Sequence, residues 1–211
     1  MDICQQRNTF NRYIQVSRET IISLKKYEKI LIEANKSVNL IGNSTIKNIW
    51  YRHFMDSAQV IDFIDKNDKS VADLGSGAGF PGLVLAIIAK DRKMNFKTSL
   101  IEKSPKKAKF LKHVVDQLKL NVSIKNVNIL DDKKKYFSDI IVARAFKPLK
   151  IIFQLIHKKI ENWNKIIIFL GKSGKEELLQ ASKIWDIEYK QRMSITTNDS
   201  FIIEIKKLKK K

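Results

Sequence analysis

The run Val71-Ala72-Asp73-Leu74-Gly75-Ser76-Gly77-Ala78-Gly79-Phe80-Pro81-Gly82 joins an apolar strand to a helix through a glycine-rich loop. Glycine lets a backbone approach a ligand closely and adopt positive φ, where a Cβ would clash. A helix starting near Pro81 adds exposed N–H groups in its first turn. Glu102 ends the next apolar run, 27 residues beyond Gly75, where a carboxylate can accept both hydroxyls of a ribose. These features describe a nucleoside-bearing cofactor at the carboxyl edge of a sheet, and two cofactors fit. Gly77, Gly79 and Gly82 match the G-x-G-x-x-G dinucleotide spacing. The register favours the other. In a dinucleotide site the first glycine closes the strand, whereas here the loop opens at Gly75 with Asp73 two residues before it. A carboxylate there repels a pyrophosphate and stabilises, directly or through water, the cationic methionyl end of S-adenosylmethionine. The plainer role for Asp73 is to bond loop amides.

The acceptor is narrowed by what the chain lacks. Methylation at C5 of a pyrimidine needs a thiolate nucleophile, and the only thiol, Cys4, lies outside the sheet region. Exocyclic amine methylation commonly uses an Asn/Asp-Pro-Pro-aromatic loop after the fourth strand, where this chain has Ala143-Arg144-Ala145-Phe146-Lys147-Pro148. A ring nitrogen such as guanine N7 already presents its lone pair, so positioning and charge stabilisation suffice without a general base. Arg144, at the end of the fourth strand, can hold the cofactor or steer the base, or form a plain salt bridge; no catalytic residue is assigned. Phe146 either stacks on a base or packs under the next helix. Gly171-Lys172-Ser173 imitates the end of a phosphate-binding loop, but Ile166 stands where the first glycine is required, so a strand-to-helix turn capped by Ser173 is expected. His53, His113 and His157 are scattered, and no metal site is expected.

These residues need a scaffold. Residues 10 to about 66 carry apolar side chains at helical spacing, with a break over Ser37 to Ser44, which predicts a helical extension over residues 1–66. From residue 70, short apolar runs alternate with helical patterns, the signature of βαβ units. Strands are expected at Ser70 to Leu74, Lys97 to Glu102, Val122 to Val127, Asp139 to Ala143 and Lys165 to Leu170, and helices near Pro81 to Lys90, Pro105 to Lys119, Pro148 to Glu161 and Gly174 to Ile184. Asp186 to Met193 and Phe201 to Ile205 read as an antiparallel hairpin, followed by a frayed basic tail, Lys206 to Lys211. The fold class is therefore α/β, a doubly wound and mostly parallel sheet, with residues 67–211 forming the cofactor domain.

The chain has 211 residues, enough for one such domain and an extension. Lys and Arg number 41 against 22 acidic residues, a formal charge of +19 that attracts polyanions such as nucleic acid. Only 7 of the 41 are Arg, which suits a diffuse electrostatic surface better than a base-reading element. The lone Cys4 excludes a disulfide framework. The first thirty residues lack the apolar core of a signal peptide, and no apolar run is long enough to span a membrane, so a soluble, cytoplasmic monomer is expected.

Val38-Asn39-Leu40, Arg52-His53-Phe54-Met55-Asp56-Ser57, the Asp73-to-Gly82 loop and Arg144-Ala145-Phe146 together resemble the RsmG family (formerly glucose-inhibited division protein B), bacterial small-subunit rRNA guanine-N7 methyltransferases. The Arg-His-x-x-Asp-Ser segment is more specific than the glycine loop. The resemblance implies methyl transfer from S-adenosylmethionine to N7 of guanosine 527 in the decoding region of 16S rRNA, on naked RNA or a 30S particle. It implies donor contacts at Gly75, Phe80, Ile129, Leu130 and Arg144. Glu102 fits the ribose position by its place in the fold, and Asp73 and Gly77 complete the expected set. His53 and Asp56 belong to the family pattern either as packing residues or as substrate contacts. Leu130 departs from an acidic residue in many relatives, with Asp131 a substitute. Ala34 departs from Trp, and Leu170-Gly171 from a Lys-Gly pair, with Lys172 a source of the missing charge. The competing function is a non-catalytic rRNA-binding assembly factor on the same fold.

Overall fold

The computed structural model describes residues 2–211. Helix α1, Ile3–Ile14, opens on a reciprocal capping box between Asp2 and Gln5. Helix α2, Arg18–Asn35, starts where the Ser17 hydroxyl accepts from the Thr20 amide, and buries Leu24, Tyr27 and Leu31 along one face. The next helical stretch differs from a single α-helix. It comprises a 3-10 segment Asn43–Asn48, a π-helical segment Trp50–Met55, the short α3, Asp56–Ala58, and a 3-10 turn Ile61–Phe63. Aromatic packing accompanies the change of pitch: Trp50 meets Phe10 edge-on at 5.4 Å, and Phe54 meets Tyr27 at the same distance. Wide-pitch turns of this kind occur frequently at functional sites, and this one carries Arg52 and His53.

The remaining elements are β1, Ser70–Leu74; α4, Gly82–Asp91; β2, Lys97–Glu102; α5, Pro105–Leu118; β3, Val122–Asn126; the two-residue β4, Tyr136–Phe137; β5, Ile140–Arg144; α6, Leu149–Lys159; the two-residue β6, Ile160–Glu161; β7, Lys165–Leu170; α7, Gly174–Ser182; β8, Trp185–Met193; and β9, Phe201–Lys210. Seven strands form one sheet in the order β3-β2-β1-β5-β7-β9-β8, with β4 and β6 pairing separately. The first five of these seven are mutually parallel, and β9 runs antiparallel to both β7 and β8. Alternation along the strands feeds two cores. Ile140 and Val142 join α4, α5 and the N-terminal helices, whereas Ile141 and Ala143 join α6 and α7. This is the expected α/β class. Because β1 lies between β2 and β5, chain connections diverge beyond its carboxyl end and leave a crevice there.

Two local expectations fail. Lys206 to Lys210 is not frayed: β9 continues through it, pairing Leu208 with Ile187 and Lys210 with Trp185. Ladder bonds use only the backbone, Leu208 packs on the second core, and Lys207 reaches Asp186 at 2.7 Å. Ser173 does not cap α7. Its backbone is already helical, and its hydroxyl donates to Glu177 Oε1 at 2.8 Å, whereas a side-chain cap requires an extended residue. No helix among the described residues is long and apolar enough to cross a membrane.

Candidate functional site

At the crevice beyond β1, Gly75, Gly77 and Gly79 all have positive φ, 69°, 57° and 95°. Two loop amides are anchored from the neighbouring strand, with Gly75 and Ser76 donating to the Ile101 carbonyl at 2.9 and 3.1 Å. Gly75 is held by sterics as well, since a Cβ there would fall 2.1 Å from Phe146 Cδ2. Phe146 thus packs on the loop, half-buried against the second core. From the other side, the buried Tyr27 phenol donates to the Ala78 carbonyl, and its ring stacks on Phe80 at 5.6 Å. Helix α2 therefore shapes the loop, a role that helical periodicity alone did not reveal.

The loop borders a cleft of about 490 Å³ that Gly75, Gly77, Phe80, Glu102, Ile129, Leu130 and Arg144 all line. Glu102 Oε2 accepts from the Gly77 amide at 2.9 Å and Oε1 from the Ser104 amide at 2.8 Å. Each carboxylate oxygen retains capacity for another donor. Asp73 is absent from the lining. It is fully buried beneath the loop, where Oδ2 accepts from the Gly82 amide at 2.9 Å and Oδ1 has no hydrogen-bond partner among the described residues. Burial raises its carboxyl to about 7, opposed by the Gly82 amide, Ser76 and the Arg144 charge and reinforced by Glu102.

The segment carrying Ile129 and Leu130 is held by a lysine that the sequence did not single out. Lys159, the last residue of α6, donates to the carbonyls of Ile129 at 2.9 Å, Leu130 at 2.7 Å and Asp132. A helix C-terminus favours a cation at that place. Asp131 accepts from Asn128 Nδ2 at 2.6 Å and lies outside the cleft, and Lys172 pairs with Asp199 at 3.3 Å, also outside it.

Arg144 sits at the cleft's far end within a hydrogen-bond network. Its Nη1 donates to Asp56 Oδ2 at 2.9 Å and to the Arg52 carbonyl at 3.4 Å, while its Nη2 meets His53 Nδ1 at 3.0 Å. Since a guanidinium only donates, His53 Nδ1 is the acceptor and Nε2–H donates to Thr45 Oγ1 at 2.8 Å. The imidazole is therefore neutral, and burial followed by the Arg144 and Arg52 charges pushes its pKa down to about 3. Phe80 packs against this group, with His53 stacked at 5.0 Å and the Arg144 guanidinium 5.1 Å from its centroid. Asp56 Oδ1 accepts from Gln59, Ser194 and Thr196, tying α3 to the connection between β8 and β9. The Arg-His-x-x-Asp-Ser segment thus fixes the orientation of Arg144. Among the described residues no three His, Cys, Asp or Glu side chains converge as a metal site.

Comparison with known proteins identifies the family and the fold. A family profile described as rRNA small subunit methyltransferase G matches residues 20–202. The Ribosomal RNA small subunit methyltransferase G of Pelagibacter ubique is 42% identical over 198 residues, covering 93% of this chain and 92% of that protein. Its namesake from Rickettsia akari is 36% identical, covering 93% and 99%. Among solved structures, magnesium protoporphyrin IX methyltransferase from Synechocystis with bound SAM shares the fold at a TM-score of 0.60 and 13% identity, covering 87% of this chain and 97% of that one. M. capricolum TrmK in complex with S-adenosyl-homocysteine does so at 0.55 and 19%, covering 73% and 68%. With a profile match across most of the chain and relatives aligned over nearly their whole length, the chain belongs to the rRNA small subunit methyltransferase G family and is a methyltransferase.

Proposed function

We propose that this protein transfers a methyl group from S-adenosylmethionine to N7 of a guanine in small-subunit ribosomal RNA, guanosine 527 of 16S rRNA by family likeness. The observation that carries the reading is the cleft beyond β1. It combines a cradle of positive-φ glycines, an acid at the end of β2, and a Lys159-braced main chain at Ile129 and Leu130. In this reading Ile129 and Leu130 would hold the cofactor's adenine, and Glu102 would accept from its ribose hydroxyls. Asp73, beneath the loop, would act through the backbone it holds, and in its ionised form would add negative charge below a sulfonium.

The cofactor supplies an electrophilic methyl on a cationic sulfur. The guanine N7 lone pair forms the new N–C bond as the S–CH3 bond breaks with its electrons on sulfur, so the positive charge moves to the base and no proton is transferred. The site suits that balance. Of the side chains beside the cleft's far end, Arg144 is paired with Asp56 and His53 is neutral with Nδ1 already engaged, so neither is a general base. Positioning is their task. Lys103, Lys107 and Lys147 at the cleft, on a chain of net charge +19, offer an RNA backbone its counter-charge.

The test is to map N7-methylguanine in 16S rRNA from cells with and without the protein, beside calorimetry of the purified protein with S-adenosylmethionine and with a dinucleotide. Loss of the modified guanine on deletion, with binding of the methyl donor only, is the expected result. Unchanged methylation, or binding of the dinucleotide instead, overturns the proposal.

A further inference from the structure

On the other side of Arg144 lies a second cavity, of about 340 Å³. It shares His53, Arg144 and Ala145 with the cofactor cleft, so the two spaces meet at the guanidinium. Its remaining walls come from distant parts of the chain: Thr45, Arg52 and Asp56 from the N-terminal segment, Phe169 to Gly171 from the end of β7, and Ser194 and Ser200 from the two ends of the β8–β9 connection. Two features mark it as a place for a ligand. Gly171, exposed on its rim, has no atom within 4 Å of a Cβ built there, so the rim leaves room for a larger group. Arg52 is exposed, and its guanidinium makes no hydrogen bond or ion pair among the described residues.

We propose that this second cavity receives the target guanine, turned out of the RNA stack, with Arg52 on a phosphate of the same nucleotide; the inference rests on the methyl-transfer reading above. A base seated there presents its N7 edge to the cofactor cleft only past Arg144. Three of that side chain's five N–H groups are used by Asp56, the Arg52 carbonyl and His53, which leaves Nε–H and one Nη2–H to donate to a ligand. Guanine carries an acceptor, O6, beside N7, whereas adenine carries an amino donor there. A donor-only guanidinium therefore accepts guanine and rejects adenine. Asp56 and His53 are positioning residues in this account, since both bond the guanidinium and aim it. The Asp56 carboxylate also balances the Arg144 charge, so the base that becomes cationic does not face an unpaired cation. Extruding a base before acting on it is the general solution when the target atom is otherwise inaccessible.

The experiment blocks the cavity without touching the cofactor cleft. Gly171→Trp places a bulky side chain into the open space, and the purified variant is compared with the wild type for S-adenosylhomocysteine binding by calorimetry and for methyl transfer to 30S particles lacking the modification. The expected result is unchanged affinity for the nucleoside with transfer reduced at least ~100-fold, the scale of a misplaced reacting atom. Transfer at the wild-type rate overturns the proposal. Should Gly171→Trp also lose nucleoside binding, Arg52→Ala decides: a KM for 30S particles raised about tenfold at unchanged kcat supports the cavity, and an unchanged KM overturns it. The modified nucleoside made by the wild type is identified in the same assay. A product other than N7-methylguanine defeats the N7 reading, while the two variants still report on where the base sits.

Discussion

Replacing Asp73 by Asn tests the link between the loop's architecture and its electrostatics. The wild-type carboxyl is fully buried, one of its oxygens has no partner, and its pKa is raised from 3.8 to about 7. A raised folded-state value means that the folded chain binds this proton more tightly than the unfolded chain does. The associated stability is fully present below the unfolded pKa and is lost as pH rises through about 7. Three pKa units at ~1.4 kcal/mol each make the loss roughly 4 kcal/mol, nearly complete at pH ~8. Asn has the same shape, keeps an acceptor for the Gly82 amide and carries no charge. The difference in unfolding free energy between variant and wild type should therefore swing in the variant's favour by roughly 4 kcal/mol between pH ~4 and pH ~8. Urea unfolding of both proteins across that range measures it, and contributions from other titrating groups cancel in the difference. A difference that stays constant with pH refutes the reasoning. The same variant separates the two roles foreseen for Asp73: a carboxylate that stabilises the sulfonium makes Asp73→Asn weaken S-adenosylmethionine more than S-adenosylhomocysteine, whereas one that only bonds amides weakens both equally.

Further perturbations probe the rest of the cleft. Lys159→Met strips three carbonyls of a shared ammonium, and at ~1.5–3 kcal/mol for a bond to a charged group the Kd for S-adenosylhomocysteine should rise ten- to a hundredfold by calorimetry, with kcat at saturating donor little changed. Tyr27→Phe leaves the Ala78 carbonyl without its buried donor, and should lower unfolding free energy by about 1–3 kcal/mol while loosening cofactor binding, although the residue lies on α2. Gly75→Ala forces a side chain into φ 69° against Phe146; about 1–2 kcal/mol of backbone strain adds to the displaced ring, and nucleoside binding should fall more than thermal stability does. Asp56→Asn should lower kcat/KM for 30S particles without altering S-adenosylhomocysteine affinity, because it releases Arg144 from its ion pair, and equal loss of both would show that the pair serves the cofactor instead.

The sequence by itself determined the α/β scaffold, because its cues are local. Period-two and period-3.6 patterns mark the strands and helices, Pro105 sits at the start of α5, and the glycines of the loop after β1 announce backbone that only glycine adopts easily. Seven of the eight candidate cofactor contacts line one cleft for the same reason, being placed at strand ends and in the turns that follow them. The eighth, Asp73, faces the underside of the loop, since a residue's position in a strand does not reveal whether its carboxylate meets a ligand or an amide. What only the tertiary structure decided is long-range. Lys159 reaches back nearly thirty residues to brace Ile129 and Leu130, Tyr27 bonds a loop fifty-one residues away, and His53 and Asp56 meet Arg144 across about ninety. Hydrogen bonds between residues so far apart leave no periodicity in the sequence. Those of Tyr27, His53 and Asp56 exist because the N-terminal helices share a core with the sheet and bring polar side chains to its carboxyl edge, and that of Lys159 because α6 packs in the second core with Ile129.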